Sequence, residues 1–407
     1  MHIFKLTLTI ASGYVAFVFF QPQSTSNLSD LSSIPNISLI IKGISIGVVI
    51  VSGLSFTVLL RTNLVFKRLR TIDESSIKPC PESDEVINSF RDEGIIYSPS
   101  LNMIIENGCN PIILEQRRFA VHPVVKKFLP LFILRMPDSR LDTFDSKKVR
   151  LNSDLNKDFI ERSEVVQLQR TSYFCDRLSN SLASYELSLD GRSVLNLRSE
   201  VIENGELVSL RASQLSNQLG GSSILITRNG TITYLNQGNR TAENAGRPSP
   251  AGSGSFDFMK KSAIESLTFQ EYAKRQTRRE LIQECGLRES DIVDIQICGF
   301  GRYLYRNGKP EVFCISSTYV DSNSIAPPIR EWDYQQKMPM FETINGLCNR
   351  ENAVKGLRSL ETKMQRRDGR LDNACGPLYW NVIFAVEYLN KMSPENEARL
   401  FPWVASK

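Results

Sequence analysis

Histidine is almost missing from this chain: among 407 residues only His2 and His122 are histidines. Ser-His-Asp catalysis and histidine-rich metal centres therefore have almost no material to work with. Cysteine occurs eight times, but never as a CxxC pair and with no regular spacing. A zinc site would need paired cysteines, and a disulfide scaffold would need a denser set in a shorter chain, so reduced thiols are expected. A strong excess of one charge is lacking too, since 49 basic and 44 acidic residues leave a formal net charge of +5. So small an excess gives no strong sequence-independent attraction to phosphate backbones, and a nucleic-acid polymer is not an expected partner. Internal repeats are also lacking. Apolar residues nevertheless make up 41% of the chain, enough for a real core. By length alone, roughly two to three domains are expected.

The first seventy residues carry two apolar runs, Leu6–Phe20 and Gly43–Leu60. A membrane-spanning helix needs about 20 apolar residues. The second run reaches that length when Ile37, Leu39, Ile40 and Ile41 are added, with Lys42 extending its amine to a headgroup. The first run reads as a retained helix or as a cleaved leader. Its bulky end, Ala16-Phe17-Val18-Phe19-Phe20, favours the retained helix. The loop from Gln21 to Asn36 has no Lys or Arg, whereas Arg61, Lys67, Arg68 and Arg70 follow the second run. Excess positive charge stays on the cytoplasmic side. The expectation is a two-helix transmembrane hairpin over about 4–20 and 37–60, in the inner membrane of a bacterium, with everything after Arg61 in the cytoplasm. Gly43 and Gly47 form a GxxxG, a spacing that lets helices approach closely, and so mark an oligomerisation face and a homo-oligomer.

Residues 61–85 read as a juxtamembrane linker, polar from Thr71 to Asp84 and containing Pro79 and Pro81. Residues 86–219 read as a β-rich cytoplasmic region of unknown role. Asn-Gly supplies the positive φ of tight hairpins, which predicts hairpins around Asn107-Gly108 and Asn204-Gly205. His122, beside Pro123 in an apolar stretch, reads as a structural histidine. Lys126 to Leu134 follows no single periodicity. From 220 to 407 the pattern sharpens. Further hairpins are predicted around Asn229-Gly230 and Asn307-Gly308, a helix from about Ser266 to Cys285 closed by Gly286, and an amphipathic helix from Pro377 to Leu389. Strands, helix, strands and helix make a mixed α/β domain.

One constellation carries chemistry. Glu280, Gln283 and Glu284 stand at i, i+3 and i+4 and share a helix face. Two carboxylates and an amide oxygen suit Mg²⁺, a hard cation that binds few protein groups and keeps waters for a phosphate to displace. The string Arg279-Glu280-Leu281-Ile282-Gln283-Glu284-Cys285-Gly286-Leu287, with Glu271 eight residues before Arg279, resembles the Nudix box. The resemblance implies a Nudix α/β/α sandwich from about Gly220 to the C-terminus. It also implies that Glu280 and Glu284 face a metal, that Glu271 completes the shell and that Arg279 orients the glutamates. Glu311 is a possible outside ligand, although its neighbourhood reads as an exposed strand edge. Two positions depart from the box: Gln283 replaces a glutamate, and Glu265 stands where a glycine leads the signature, with Gly252-Ser253-Gly254 nearby.

Two functions follow as expectations. The layout of two spans, an intermediate region and a Nudix-like domain is similar to the transmembrane-Nudix effectors of bacterial cyclic-oligonucleotide antiphage systems (CBASS). That similarity implies a nucleotide sensor acting through its membrane helices to disrupt the membrane. The alternative is a membrane-tethered Mg²⁺-dependent hydrolase of nucleoside diphosphate derivatives.

Overall fold

The computed structural model describes residues 64–70, 72–79, 83–127, 129, 145–238, 244–328, 340–343 and 348–404. The chain divides into two compact units. One comprises Met1–Val65 with Ser188–Arg192, the other Phe66–Leu187 with Ser193–Lys407, and the second holds the large sheet and the helices that cover it.

Among the elements that precede the large sheet's centre are β1 (Val86–Phe90), β2 (Glu93–Tyr97), β3 (Ile112–Leu114), β4 (Lys147–Leu151) and β5 (Val166–Ser172), with helix α1 (Pro99–Ile104) after β2. Then come β6 (Gly220–Thr227), β7 (Thr231–Asn236), β8 (Pro248–Pro250), β9 (Gly252–Ser255), α2 (Phe269–Cys285), β10 (Ile292–Tyr303) and β11 (Lys309–Thr318). The chain closes with β12 (Met340–Thr343), α3 (Arg350–Arg366) and α4 (Gly376–Lys391), followed by the short helix Pro394–Leu400. Nine strands form one mixed sheet in the order β8-β7-β6-β11-β10-β2-β1, with β9 also paired to β6 and β12 to β7. β6 and β11 run parallel from Gly220↔Glu311 to Thr227↔Thr318. A second sheet has the order β3-β5-β4.

β11 lies between β6 and β10 and is buried along its whole length. Its run Val312-Phe313-Cys314-Ile315 has no polar alternation because a strand covered on both faces needs none. The two coverings are distinct. Leu225, Val312 and Cys314 face a core that includes Phe269, Tyr272, Ala273 and Leu281 of α2. Ile224, Phe313 and Ile315 face the opposite core, with Leu357 and Leu360 of α3 and Leu378, Phe384 and Leu389 of α4. In α3 the buried residues Ala353, Leu357, Leu360 and Met364 form a stripe at helical spacing, and Asn349 caps the helix by accepting the Asn352 N–H.

The Asn-Gly hairpins around β6–β7 and β10–β11 are present. Gly230 has φ 77°, and Asn307 and Gly308 have φ 54° and 78°, the left-handed values such turns require. Helix α2 ends at Gly286 with φ 67°, as a left-handed glycine cap should. The hairpin expected at Asn107-Gly108 is instead a helix. Ser98 accepts the Leu101 N–H at 3.1 Å, Pro99 opens α1 and Gly108 keeps φ −68°, so helix capping decides this stretch. At Asn204-Gly205 the turn forms, but the ladder is only Ile202–Glu203 with Glu206–Leu207.

β1 and β2 pair with each other, and β2 pairs with β10, so residues before 220 complete the edge of the large sheet. β4 docks beside the chain flanking β6 and β9. Leu219 N–H donates to Val149 O at 2.9 Å and Val149 N–H to Phe256 O at 3.1 Å, which sets Lys148 opposite Asp257. His122 Nδ1 accepts the Val124 N–H at 3.3 Å, a structural role.

The membrane hairpin is corrected. Among the described residues no helix is long and apolar enough to cross a membrane, and the fold they show is mixed α/β. The apolar runs 4–20 and 37–60, with Gly43 and Gly47, lie outside the described residues. A two-pass inner-membrane placement with a cytoplasmic C-terminal domain, and the transmembrane character built on it, are therefore withdrawn. Hydropathy of an apolar run measures only its affinity for a non-aqueous phase and does not by itself specify a spanning helix.

Phe384 is fully buried, with ring centroids 4.8 Å from both Tyr97 and Phe313. Phe384→Ala is expected to cost about 3–5 kcal/mol in urea unfolding. Tyr319→Ala, at a half-exposed position, should change stability by less than about 0.5 kcal/mol.

Candidate functional site

Helix α2 begins with a capping box that consumes one of the expected ligands. Thr268 Oγ1 accepts the Glu271 N–H at 3.2 Å, while Glu271 Oε2 accepts the Thr268 N–H at 2.8 Å. Glu271 is exposed there and stands nine positions along the helix from Glu280, about 13 Å at 1.5 Å per residue. The structure thus brings Glu280 and Glu284 onto one helix turn and leaves Glu271 at the other end.

The two glutamates press against β9. Glu284 is buried and accepts the Ser253 N–H at 2.9 Å. A Cβ on Gly254 would stand 2.6 Å from a Glu280 carboxylate oxygen, and one on Gly252 would stand 2.8 Å from Leu281 Cγ. The Gly252-Ser253-Gly254 string is therefore a close-approach surface that lets the helix lie on the strand. Gln283, half-buried, adds no charge.

Arg279 points elsewhere, into an ion pair with Asp257. Asp257 also pairs with Lys148 at 2.5 Å, its carbonyl accepts from Tyr272 OH at 3.0 Å, and its N–H donates to Gln276 Oε1 at 3.0 Å. Burial works to raise the Asp257 carboxyl, but Lys148 and Arg279 outweigh it and hold it below the ordinary carboxylate value. This hub is not legible in the sequence, because Lys148 lies more than one hundred residues away from its partner.

Glu311 is buried in the centre of the large sheet, not at an exposed edge. Its carboxylate lies where a side chain at Gly220 would be. Gly221, the next residue of β6, faces Phe256 in the α2 core, and Gly254 is its strand partner, so Glu280 and Glu311 lie on opposite faces of the sheet. Burial raises the Glu311 carboxyl against the pull of Lys309 and Arg306.

Among the described residues no group of three or more His, Cys, Asp or Glu side chains is placed to hold a metal. Glu280 and Glu284 supply two carboxylates, one of them already bonded to Ser253. That pair suits a magnesium ion brought in by the phosphates of a ligand rather than one the protein would hold by itself. No family model matches the sequence, and no curated protein matches it significantly.

Asp257→Asn should lower stability at pH 7 by about 1.5–3 kcal/mol, most of it from the Lys148 pair, since the Arg279 side chain is 39% exposed. A depressed carboxyl stabilises above its unfolded value near about 3.9, and this contribution is lost as pH falls through the lower folded value. The gap between wild type and variant should therefore close in acid denaturation curves below about pH 4. Gly252→Ala should cost about 1–3 kcal/mol by the same measurement, because Leu281 is buried and has no room to retreat.

Proposed function

We propose that this chain is a nucleotide-binding protein whose Nudix-like helix serves mainly to build the fold and turns its ligand over slowly or not at all. The observation that carries the reading is the use to which the box side chains are put. Glu271 caps the helix, Arg279 pairs with Asp257, and Glu284 accepts from Ser253. A carboxylate committed to a backbone N–H is less available to a metal, and Gln283 removes one further charge from the same face. A nucleotide sensor gains from such a site, because a ligand that is destroyed quickly reports nothing. The ligand class is a nucleoside diphosphate derivative or a cyclic oligonucleotide of the kind that signals in bacterial antiphage defence.

The retained Glu280 and Glu284 favour a second reading, a Mg²⁺-dependent Nudix hydrolase. Magnesium would there neutralise the charge of a bound diphosphate, while Glu280 and Glu284 would position it.

One experiment separates the two. The full chain is incubated with ADP-ribose or cyclic di-AMP, with and without Mg²⁺, and its melting temperature and the products are measured together. A ligand that binds only the folded state stabilises it by RT ln(1 + [L]/Kd). The expected outcome is a raised melting temperature with no product. Mg²⁺-dependent product formation that Glu284→Gln abolishes would replace the sensor with the hydrolase.

A further inference from the structure

A cavity of about 320 Å³ opens where β11 begins and β9 ends, with the segment from Tyr173 to Tyr185 forming part of its wall. Its volume falls within the range that binds small molecules, about 300–1,000 Å³. Neither Glu280 nor Glu284 lines it. Arg68, Arg177, Arg247, Arg306 and Lys309 do. The acidic residues of the lining are Glu93 and Asp176. Glu93 is already committed, because it pairs with Arg247 and accepts the Gly376 N–H. Against Asp176, the remaining four cations, Arg68, Arg177, Arg306 and Lys309, make the wall a place where an anion is favoured.

Two of those cations are held in place. The Arg306 guanidinium lies 5.5 Å from the Tyr303 ring centroid and 5.4 Å from that of Tyr305. Lys309 is 9% exposed, and its Nζ donates to Ser255 Oγ at 3.2 Å, a hydroxyl that leaves the ammonium charge in place. Glu311 sits behind them, and burial raises its carboxyl against the pull of Lys309 and Arg306.

The walls are locked together before any ligand arrives. Asn307 donates through Nδ2 to Asn180 O at 2.7 Å and to Ser184 Oγ at 2.8 Å, tying the β10–β11 turn to the Tyr173–Tyr185 segment. Gln218 also lines the cavity. It is 2% exposed, and its Nε2 has no hydrogen-bond partner. A buried amide N–H without an acceptor is costly, so a ligand acceptor that drew this side chain toward the cavity would be favoured.

We propose that this cavity binds the phosphate groups of a nucleotide, with Arg177, Arg306 and Lys309 facing the phosphates and Gln218 donating to the ligand. The nucleoside part rests on the nucleotide-binding reading above, and the phosphate part on the cavity alone. Charge-assisted bonds from guanidinium to phosphate are the strong kind, and Arg suits phosphate geometry better than Lys.

The test is isothermal titration of the full chain with ATP, cyclic di-AMP and pyrophosphate, repeated for Arg306→Gln, Gln218→Glu, Arg68→Glu and Glu284→Gln. Melting curves verify that each variant is folded. Arg68 is exposed, so its reversal leaves the core intact should the buried changes unfold the protein. The expected result is a nucleotide that binds more tightly than pyrophosphate and loses tenfold or more in affinity in the folded cavity variants. A nucleotide that binds the cavity variants unchanged, or that is lost only in Glu284→Gln, overturns the cavity assignment and leaves the nucleotide-binding reading standing. Pyrophosphate binding as tightly as either nucleotide overturns the nucleoside part. Binding of none of the three probes overturns the cavity and the nucleotide reading together. Turnover of a bound nucleotide overturns only the sensor.

Discussion

The carboxylate of Asp257 is the contact on which the geometry around α2 depends. It joins Lys148 on β4 to Arg279 on α2, while the backbone of the same residue engages Tyr272 and Gln276 of that helix. Strand β4, the tail of β9 and the helix are thereby fixed to one another from a single position. Burying most of a carboxylate is costly, but two cations share it, so its charge is compensated from both β4 and α2. The helix needs this anchor because the strand it lies on, β9, is made of glycine and serine, which offer little apolar area. Leu281 and Tyr272 supply the packing, and Asp257 supplies the register.

That anchoring also decides what the Nudix-like string does. A box arginine free to turn toward the glutamates would set their orientation, but Arg279 is held by Asp257. The glutamate at the head of the helix is held nine positions from Glu280 by the continuous helix, and releasing it from its cap would cost roughly 1 kcal/mol without closing that distance. Glu284 would have to release Ser253. Each of these steps is modest alone. Together they explain why two carboxylates at the right spacing are not the same thing as a metal site.

Much of the large sheet was legible in the sequence, and for identifiable reasons. The turns at Gly230 and Asn307-Gly308 demand positive φ, the helix before Gly286 needs a left-handed cap, and such local requirements are written locally. What stayed hidden was non-local. Asn107-Gly108 carries the same dipeptide as the true hairpins, but Ser98 and Pro99, nine residues upstream, had already started a helix. The pairing of β2 with β10 joins residues about two hundred apart, so 219/220 read as a border although the sheet continues across it. α3 was missed because its apolar stripe is only one residue wide among Lys, Arg and Glu. Of the candidate site, the spacing of Glu280 and Glu284 was visible. The commitments of Glu271 and Arg279 were not, since a capping box and a metal shell both draw on the same glutamate. The burial of Glu311 was missed because its flanking Lys309 and Pro310 look like an edge, whereas β6 and β10 enclose them.

The proposed division of labour places the box and the cavity on separate structural footings. Glu280 meets Gly254 on the α2 side of the sheet, while the buried Glu311 and the Gly220 beneath it face the other side. The cavity draws Tyr173, Arg177 and Asn180 from the region before 220 and Arg306, Asn307 and Lys309 from the β10–β11 connection. Neither group alone would enclose an anion. If a nucleotide binds there, the residues before 220 are part of the ligand site and not a spacer, and the bonds from Asn307 to Asn180 and Ser184 become the contacts that preset its walls. Preset walls reduce the ordering cost of binding, so affinity would come from a rigid cationic wall without help from the carboxylates of α2.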